Sequence, residues 1–276
     1  MQIESVDFGE QVLINGVKFS FHPAGHILGS AQVRVEHKGE VWVVSGDYKV
    51  ESDTFTEPFE LVPCHTFITE CTFGLPIYKW RPQSEVFDEI NNWWHENAEA
   101  GKVSVLTGYS LGKAQRLLQN IDGEIGPIFT HPTIEKVNEV IRGQGVYLQD
   151  TIPVSPGMNK SLFKGGLVLA PPSVLGEPWC NQFKPFSTAT ASGWMNLRGA
   201  RRRRSVDRGF VISDHADWDG LVDTIKGTGA EKIYVTHGYT GVFSRWLREQ
   251  GFNADVVQTE FNAQGDEEEN EVAGSH

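Results

Sequence analysis

Five times in this chain a short β-branched or aromatic run stops at a residue type that binds metals or moves protons. The sharpest instance is Gly39 to Lys49, GEVWVVSGDYK. Val41-Trp42-Val43-Val44 reads as a strand buried on both faces, and Ser45-Gly46 turns the chain so that Asp47 is delivered at the strand's C-terminal tip. His26 follows VKFSFHPAG, Glu70 follows HTFIT, His215 follows GFVISD, and His237 follows KIYVT in the same way. Loops after the strands of an α/β sheet gather into a crevice, so three imidazoles and two carboxylates meeting there suit a hydrolytic metal site.

Charge and cysteine usage exclude several classes. A net charge of −12 argues against a protein that coats nucleic acid nonspecifically. The excess lies partly in GDEEENEVAGSH at the end, which reads as a solvated, disordered acidic tail over 263–276. Against it stand Arg198, Arg201, Arg202, Arg203, Arg204 and Arg208, which read either as a solvated surface or as a phosphate-contacting patch. Cys64, Cys71 and Cys180 form no CxxC pair and read as buried, reduced thiols of a cytoplasmic protein. The opening MQIESVDFGEQ lacks a basic and an apolar region, and no run reaches membrane-spanning length, so neither export nor a membrane partner is expected.

The order of elements predicts two modules. Residues 10 to 22 and 31 to 45 read as hairpin strands with turns at Asn15-Gly16 and Lys38-Gly39. From about residue 80, helix and strand alternate. A helix near 84–98 carries Phe87, Ile90 and Trp94 on one face, a second carries Ala114, Leu117, Leu118 and Ile121, and a third opens at Pro132 and ends at Gly143. KVSVLTG, PIFTH, GGLVLAPP and KPFSTATASGW are the strands between and after them, which implies a small parallel sheet with helices on its faces. After residue 208 the pattern returns to strand, site residue and helix, so residues 75–207 read as one α/β module inserted into another. GYSLGKA, Gly108 to Ala114, is not a P-loop: three residues separate its glycines and Ala114 follows Lys113. Gly112 and Lys113 still open a helix, which either binds a phosphate or is simply a helix start.

PAGHILGSAQ, SGDYK, ITECTFG, TGYSLGKAQ, ASGWMNLRGARRRR, VDRGFVISDHADW and VTHG together resemble the β-CASP branch of metallo-β-lactamase-fold nucleases, nearest to the bacterial ligase-associated DNA exonucleases. The fold so implied is α/β: a metallo-β-lactamase αββα sandwich over 1–74 and 208–262, N-terminally incomplete, with a β-CASP insert at 75–207. The resemblance makes His26, Asp47 and His237 metal ligands, with Asp47 bridging two zinc ions and manganese as an alternative metal. It makes Glu70 the residue that tunes the site and His215 the group that binds the scissile phosphate or protonates the leaving oxygen. Lys113, Ser192, Gly193, Arg198 and Arg204 would hold the backbone of single-stranded or end DNA, with RNA as the alternative because His237 is retained. An ATP-dependent DNA ligase and a helicase are the protein partners it implies.

One departure is large. The family signature His-x-His-x-Asp-His is absent, and no His-x-His occurs anywhere in the chain. Those residues would supply two ligands to each metal, so neither half-site is complete and the chain is expected to be inactive or impaired as it stands. A fragment of a zinc-dependent nuclease, a non-catalytic nucleic-acid or partner-binding relative, and a split enzyme completed by a second polypeptide all fit this pattern. A fragment would also expose a sheet edge and apolar surface.

Overall fold

The structure is a computed structural model that describes residues 4–197 and 206–258. It divides into two compact units, Met1–Lys79 with Asp214–His276, and Trp80–Ser213. The expected boundaries at 74/75 and 207/208 therefore move several residues along the chain. Arg198, the arginines at 201–204 and the acidic tail lie outside the described residues.

The first unit is built on one seven-stranded sheet, β1 (Val12–Ile14), β2 (Val17–Pro23), β3 (Ala31–His37), β4 (Glu40–Val44), β5 (Thr66–Cys71), β12 (Lys232–Gly238) and β13 (Ala254–Val256), in that spatial order. β1 to β4 are antiparallel neighbours, and β4, β5, β12 and β13 pair in parallel. The two tight turns arise as their residues require. Asn15 and Gly16 have φ of 51° and 82°, Lys38 and Gly39 of 50° and 87°, the doubly left-handed geometry whose twist matches that of the flanking strands. Alternation then sends Val41, Val43, Phe67, Ile233 and Val235 to one face. There they meet Leu221 and Ile225 of α4 (Trp218–Thr228) and Phe243 and Leu247 of α5 (Thr240–Glu249). Asp217 caps α4 by accepting from the Gly220 N–H at 2.8 Å, and Gly229 closes it at φ 65°. The implied αββα sandwich calls for two sheets, and the described residues of this unit form one.

The second unit is a six-stranded parallel sheet, ordered β11 (Arg208–Phe210), β10 (Phe186–Ala191), β6 (Val103–Thr107), β9 (Leu167–Ala170), β7 (Ile128–Thr130), β8 (Ile152–Pro153). Every residue of β6 and β9 is buried, as strands covered on both faces must be. The helices are α1 (Gln83–Glu99), α2 (Lys113–Asn120) and α3 (Pro132–Gly143). Ile90 and Trp94 of α1 and Leu117 and Leu118 of α2 join Leu106 and Leu169 in one core. The strand before His215, expected in the first module, belongs here, because β11 pairs in parallel with β10 through Ala189 to Ala191. Strands β8 and β13 are too short to leave a periodicity, and the sequence did not announce them.

Glu135 on α3 anchors a polar knot in this unit. It accepts from Thr130 Oγ1 at 2.6 Å, Thr151 Oγ1 at 2.7 Å and the Arg142 guanidinium at 2.8 Å. Burial would raise its pKa, yet the Thr130 and Thr151 hydroxyls and Arg142 outweigh that and hold it below the ordinary glutamate value. A carboxylate whose pKa is depressed by folding stabilises the fold above its unfolded value and loses that contribution as pH falls through the folded one. The urea midpoint of the wild type should therefore fall on acidification below about pH 4.5, and that of Glu135→Gln should start lower and fall less. Parallel pH dependences in the two proteins would exclude this account.

Candidate metal centre

β4, β5 and β12 run in parallel, and β2 runs the same way, two antiparallel steps from β4. Their C-terminal ends therefore share one edge of the sheet, and the loops leaving them supply the site. Gly25, at φ 73°, turns the chain after β2 and presents His26. Gly46, at φ 59°, does the same after β4 and leaves Asp47 40% exposed at its side chain. Glu70 lies within β5 and is 2% exposed. His215 arrives on the segment that precedes α4.

His26, Asp47 and His215 each place one ligand atom so that all three lie within 4.8 Å of one another. His26 Nε2 stands 3.8 Å from Asp47 Oδ2, and the two imidazole centroids are 4.7 Å apart. The other ring nitrogen of each histidine is fixed from behind. His26 Nδ1 lies 2.9 Å from the Asp214 carbonyl oxygen, and His215 Nδ1 lies 2.9 Å from both carboxylate oxygens of Glu70. Imidazoles that bind metals are held in this manner, because the outer bond sets both the tautomer and the ring plane. A histidine nitrogen and a carboxylate oxygen, here His26 and Asp47, are donors that zinc takes and manganese tolerates, with His215 beside them either as a third donor or as a proton donor.

Electrostatics separates the two histidines. Burial lowers the pKa of His26, and the neighbouring His215 lowers it further, which keeps the ring neutral and able to donate a lone pair. Burial would lower His215 as well, but the charge and hydrogen bonds of Glu70 override it and the net shift is upward. Glu70 shows the reciprocal effect: burial would raise it, while His215, Thr72 and the Tyr48 N–H hold it below its ordinary value. Tyr48 N–H donates to Glu70 Oε1 at 2.9 Å, and the Thr72 hydroxyl makes a short bond to Oε2. A pair of titratable groups driven in opposite directions is how acid and base roles are divided at one pH.

The other expected site residues are placed differently. His237 sits at a bulge between the Thr236–Glu70 and Gly238–Cys71 pairings, with φ 54°, is exposed, and stands outside the cluster of three. Lys113 is 3% exposed and its Nζ donates to the Ile212 carbonyl at 2.9 Å, so its ammonium braces the chain beyond β11. Ser192 and Gly193 are buried, and Ser192 Oγ caps a single helical turn by accepting from Trp194 N–H at 3.4 Å. Arg198 and Arg204 fall outside the described residues. Sequence reasoning missed the Asp214 carbonyl, Tyr48 and Thr72. A main-chain acceptor leaves no signal in side-chain identity, although Thr72, two residues beyond Glu70, was open to view.

No family model matches the chain. Over 240 residues, 86% of this chain, it is 32% identical to a "Probable DNA ligase" of Opitutus terrae and spans 23% of that protein. Over 123 residues, 44% of this chain, it is 32% identical to "Endoribonuclease YSH1" of Eremothecium gossypii, spanning 16% of it. The identity is again 32% over 123 residues to "Cleavage and polyadenylation specificity factor subunit 3-I" of Arabidopsis thaliana, spanning 18% of it. The chain thus spans less than a quarter of the length of these curated relatives. In fold it matches a crystal structure of a protein of unknown function from Enterococcus faecalis V583, with a TM-score of 0.62 at 8% identity, over 94% of this chain and 66% of that one. Along most of its length, therefore, the chain is similar to part of a protein named as a DNA ligase, and along nearly half of it to proteins named for endoribonuclease and RNA-cleavage roles.

Proposed function

We propose that this chain carries part of the hydrolytic centre of a β-CASP metallo-β-lactamase nuclease that cleaves phosphodiester bonds at DNA ends. The observation that carries the reading is the cluster of His26, Asp47 and His215, with both imidazoles braced from behind and their pKa values driven apart. A divalent metal bound there would polarise the phosphate and lower the pKa of a bound water. His26, with its pKa lowered, and Asp47 would hold that metal. Burial notwithstanding, Glu70 raises the pKa of His215, which suits it to deliver a proton to the leaving oxygen. His237 as a further ligand, and Ser192, Gly193, Arg198 and Arg204 as backbone contacts, rest on the family resemblance. The buried bond from Lys113 to Ile212 counts against a phosphate role for that lysine.

The chain contains no His-x-His-x-Asp-His motif, so the centre is short of nitrogen ligands and turnover by this chain is expected to be low. Similarity to a protein named as a DNA ligase supports DNA as substrate and a ligase as functional neighbour, with a helicase entering on the resemblance alone. RNA is the second reading, favoured by similarity to endoribonuclease YSH1 and by the histidine at 237. No described helix is long and apolar enough to cross a membrane. A cytoplasmic setting rests on the three free, buried cysteines, the form expected of thiols in a reducing compartment.

The test pairs metal binding with cleavage. Equilibrium dialysis against Zn²⁺ and Mn²⁺ should show one ion per chain, and His26→Ala should weaken it at least about tenfold. End-labelled single-stranded DNA should be shortened slowly with metal present, faster than RNA of the same sequence, and not at all by His215→Ala. Faster RNA cleavage would move the substrate to RNA. Salt-dependent DNA binding by a wild type that takes up no metal would replace the nuclease with a binding module.

A further inference from the structure

The segment that leaves Asp47 folds back onto the loop that presents His26. Lys49 N–H donates to the Ala24 carbonyl at 3.0 Å and sets the two side by side. The Lys49 side chain is 3% exposed, and its ammonium donates to the Glu51 carbonyl, with Glu51 Oε2 at 3.6 Å and Asp53 Oδ2 at 4.0 Å. Asp53 Oδ1 accepts from the Phe55 and Thr56 N–H groups, both at 3.0 Å, which fixes the turn carrying Thr56. Those two donors fill the lone pairs of that oxygen. Thr56 Oγ1 lies 3.1 Å from Asp53 Oδ1 and 3.1 Å from the Gly25 carbonyl oxygen, so its single proton goes to Gly25.

That bond bears directly on His26. A peptide unit is planar, so its carbonyl and its N–H move as one body. The unit joining Gly25 to His26 is held at both ends: its carbonyl accepts from Thr56, and its N–H donates to Ser30 Oγ at 3.1 Å. With the plane fixed, only the φ of His26 and its side-chain torsions remain to be set, and the contact of Nδ1 with the Asp214 carbonyl oxygen constrains those. Ser30 belongs to the same turn as His26. Thr56 lies instead on the segment that leaves Asp47, so its hydroxyl ties one proposed donor to the other. The geometry points to Thr56, held by Asp53, as a positioning residue of the metal centre that sets the 3.8 Å between His26 Nε2 and Asp47 Oδ2. Zinc bonds of roughly 2.0–2.2 Å admit donors roughly 3–4 Å apart, so a small displacement of the His26 loop is felt at the metal. Thr56 is 8% exposed and acts through that loop, not on metal or substrate. The proposal rests on the reading of His26 and Asp47 as metal donors.

Co²⁺, which takes the donors of zinc and absorbs visible light, is the probe, titrated into the full chain. Thr56→Val keeps the branched shape and removes the hydroxyl. It should lower Co²⁺ affinity about tenfold, the scale of changes behind a metal ligand, and alter the visible spectrum of the bound ion. Thr56→Ser restores the hydroxyl and should restore both readouts. Thr228→Val is the control, because Thr228 is also 3% exposed and its Oγ1 donates to the Ile225 carbonyl at 2.8 Å. It closes α4, roughly 15 Å from the start of that helix, where His215 enters. It should lose stability in urea yet keep the wild-type affinity and spectrum. Should Thr56→Val fail to fold, Asp53→Asn is read instead and should show a smaller loss of affinity in the same direction. Wild-type affinity in the folded variant, an equal loss in Thr228→Val, or no recovery in Thr56→Ser would each overturn the positioning role. A wild type that takes up no Co²⁺ would overturn the metal reading itself, and the proposal with it, before any variant is compared.

Discussion

Glu70→Ala should lower the stability of the chain by about 3–5 kcal/mol, the range for removing one partner of a buried charge pair. The carboxylate is 2% exposed and accepts from the Tyr48 N–H, the Thr72 N–H and hydroxyl, and His215. Alanine leaves all four donors facing an apolar methyl, and each unmet donor costs about 1–3 kcal/mol when no water replaces the acceptor. Glu70→Gln keeps one acceptor oxygen and should cost less. It also removes the charge that lifts His215, so the imidazole pKa followed by NMR should drop in Glu70→Gln while the fold persists. Urea titration reads the stability, and an alanine variant with the wild-type midpoint would mean that water already serves these donors.

The second large effect joins the fold to the site. At Gly25 φ is 73°, and a Cβ there would overlap the Lys49 carbonyl oxygen. That contact is with backbone, so something must move. Gly25→Ala bears roughly 1–2 kcal/mol for the left-handed conformation and roughly 1–3 kcal/mol for displacing a packed neighbour. The displaced segment carries Asp47 two residues upstream, and Gly25 itself precedes His26, so both proposed metal donors shift together. Gly29→Ala is the matched control: φ is 71°, yet nothing lies within 4 Å of its added Cβ. It should lose only the conformational part of the stability and keep its metal affinity. Equal loss of Zn²⁺ affinity in the two variants would show that the approach to Lys49 is unimportant for the site.

Local physics carried much of this architecture in plain sight. Asn15-Gly16 and Lys38-Gly39 require left-handed backbone, Pro132 and Gly143 bracket α3, and the unbroken apolar run of β9 admits only a buried strand. The delivery of His26 and Asp47 just past strand ends was legible for the same reason, since a strand followed by a small-residue turn places the next side chain at the sheet's edge, whereas Glu70 lies within β5. What remained hidden depended on pairing at a distance. Whether β11 joins the first sheet or the second is set by its partner β10, and three residues, Arg-Gly-Phe, do not encode that choice. Lys113 has the sequence setting of a phosphate ligand at a helix start, and only the fold reveals the Ile212 carbonyl that takes up its ammonium. The grouping of His215 with His26 and Asp47, and the exposed position of His237 outside that cluster, were likewise decided by tertiary register. Sequence determines which residue stands at the end of each strand, because that follows from nearest-neighbour backbone preferences. Which of those ends meet follows from contacts between residues far apart in the chain, here Glu70 and His215, which the local pattern of either segment does not contain.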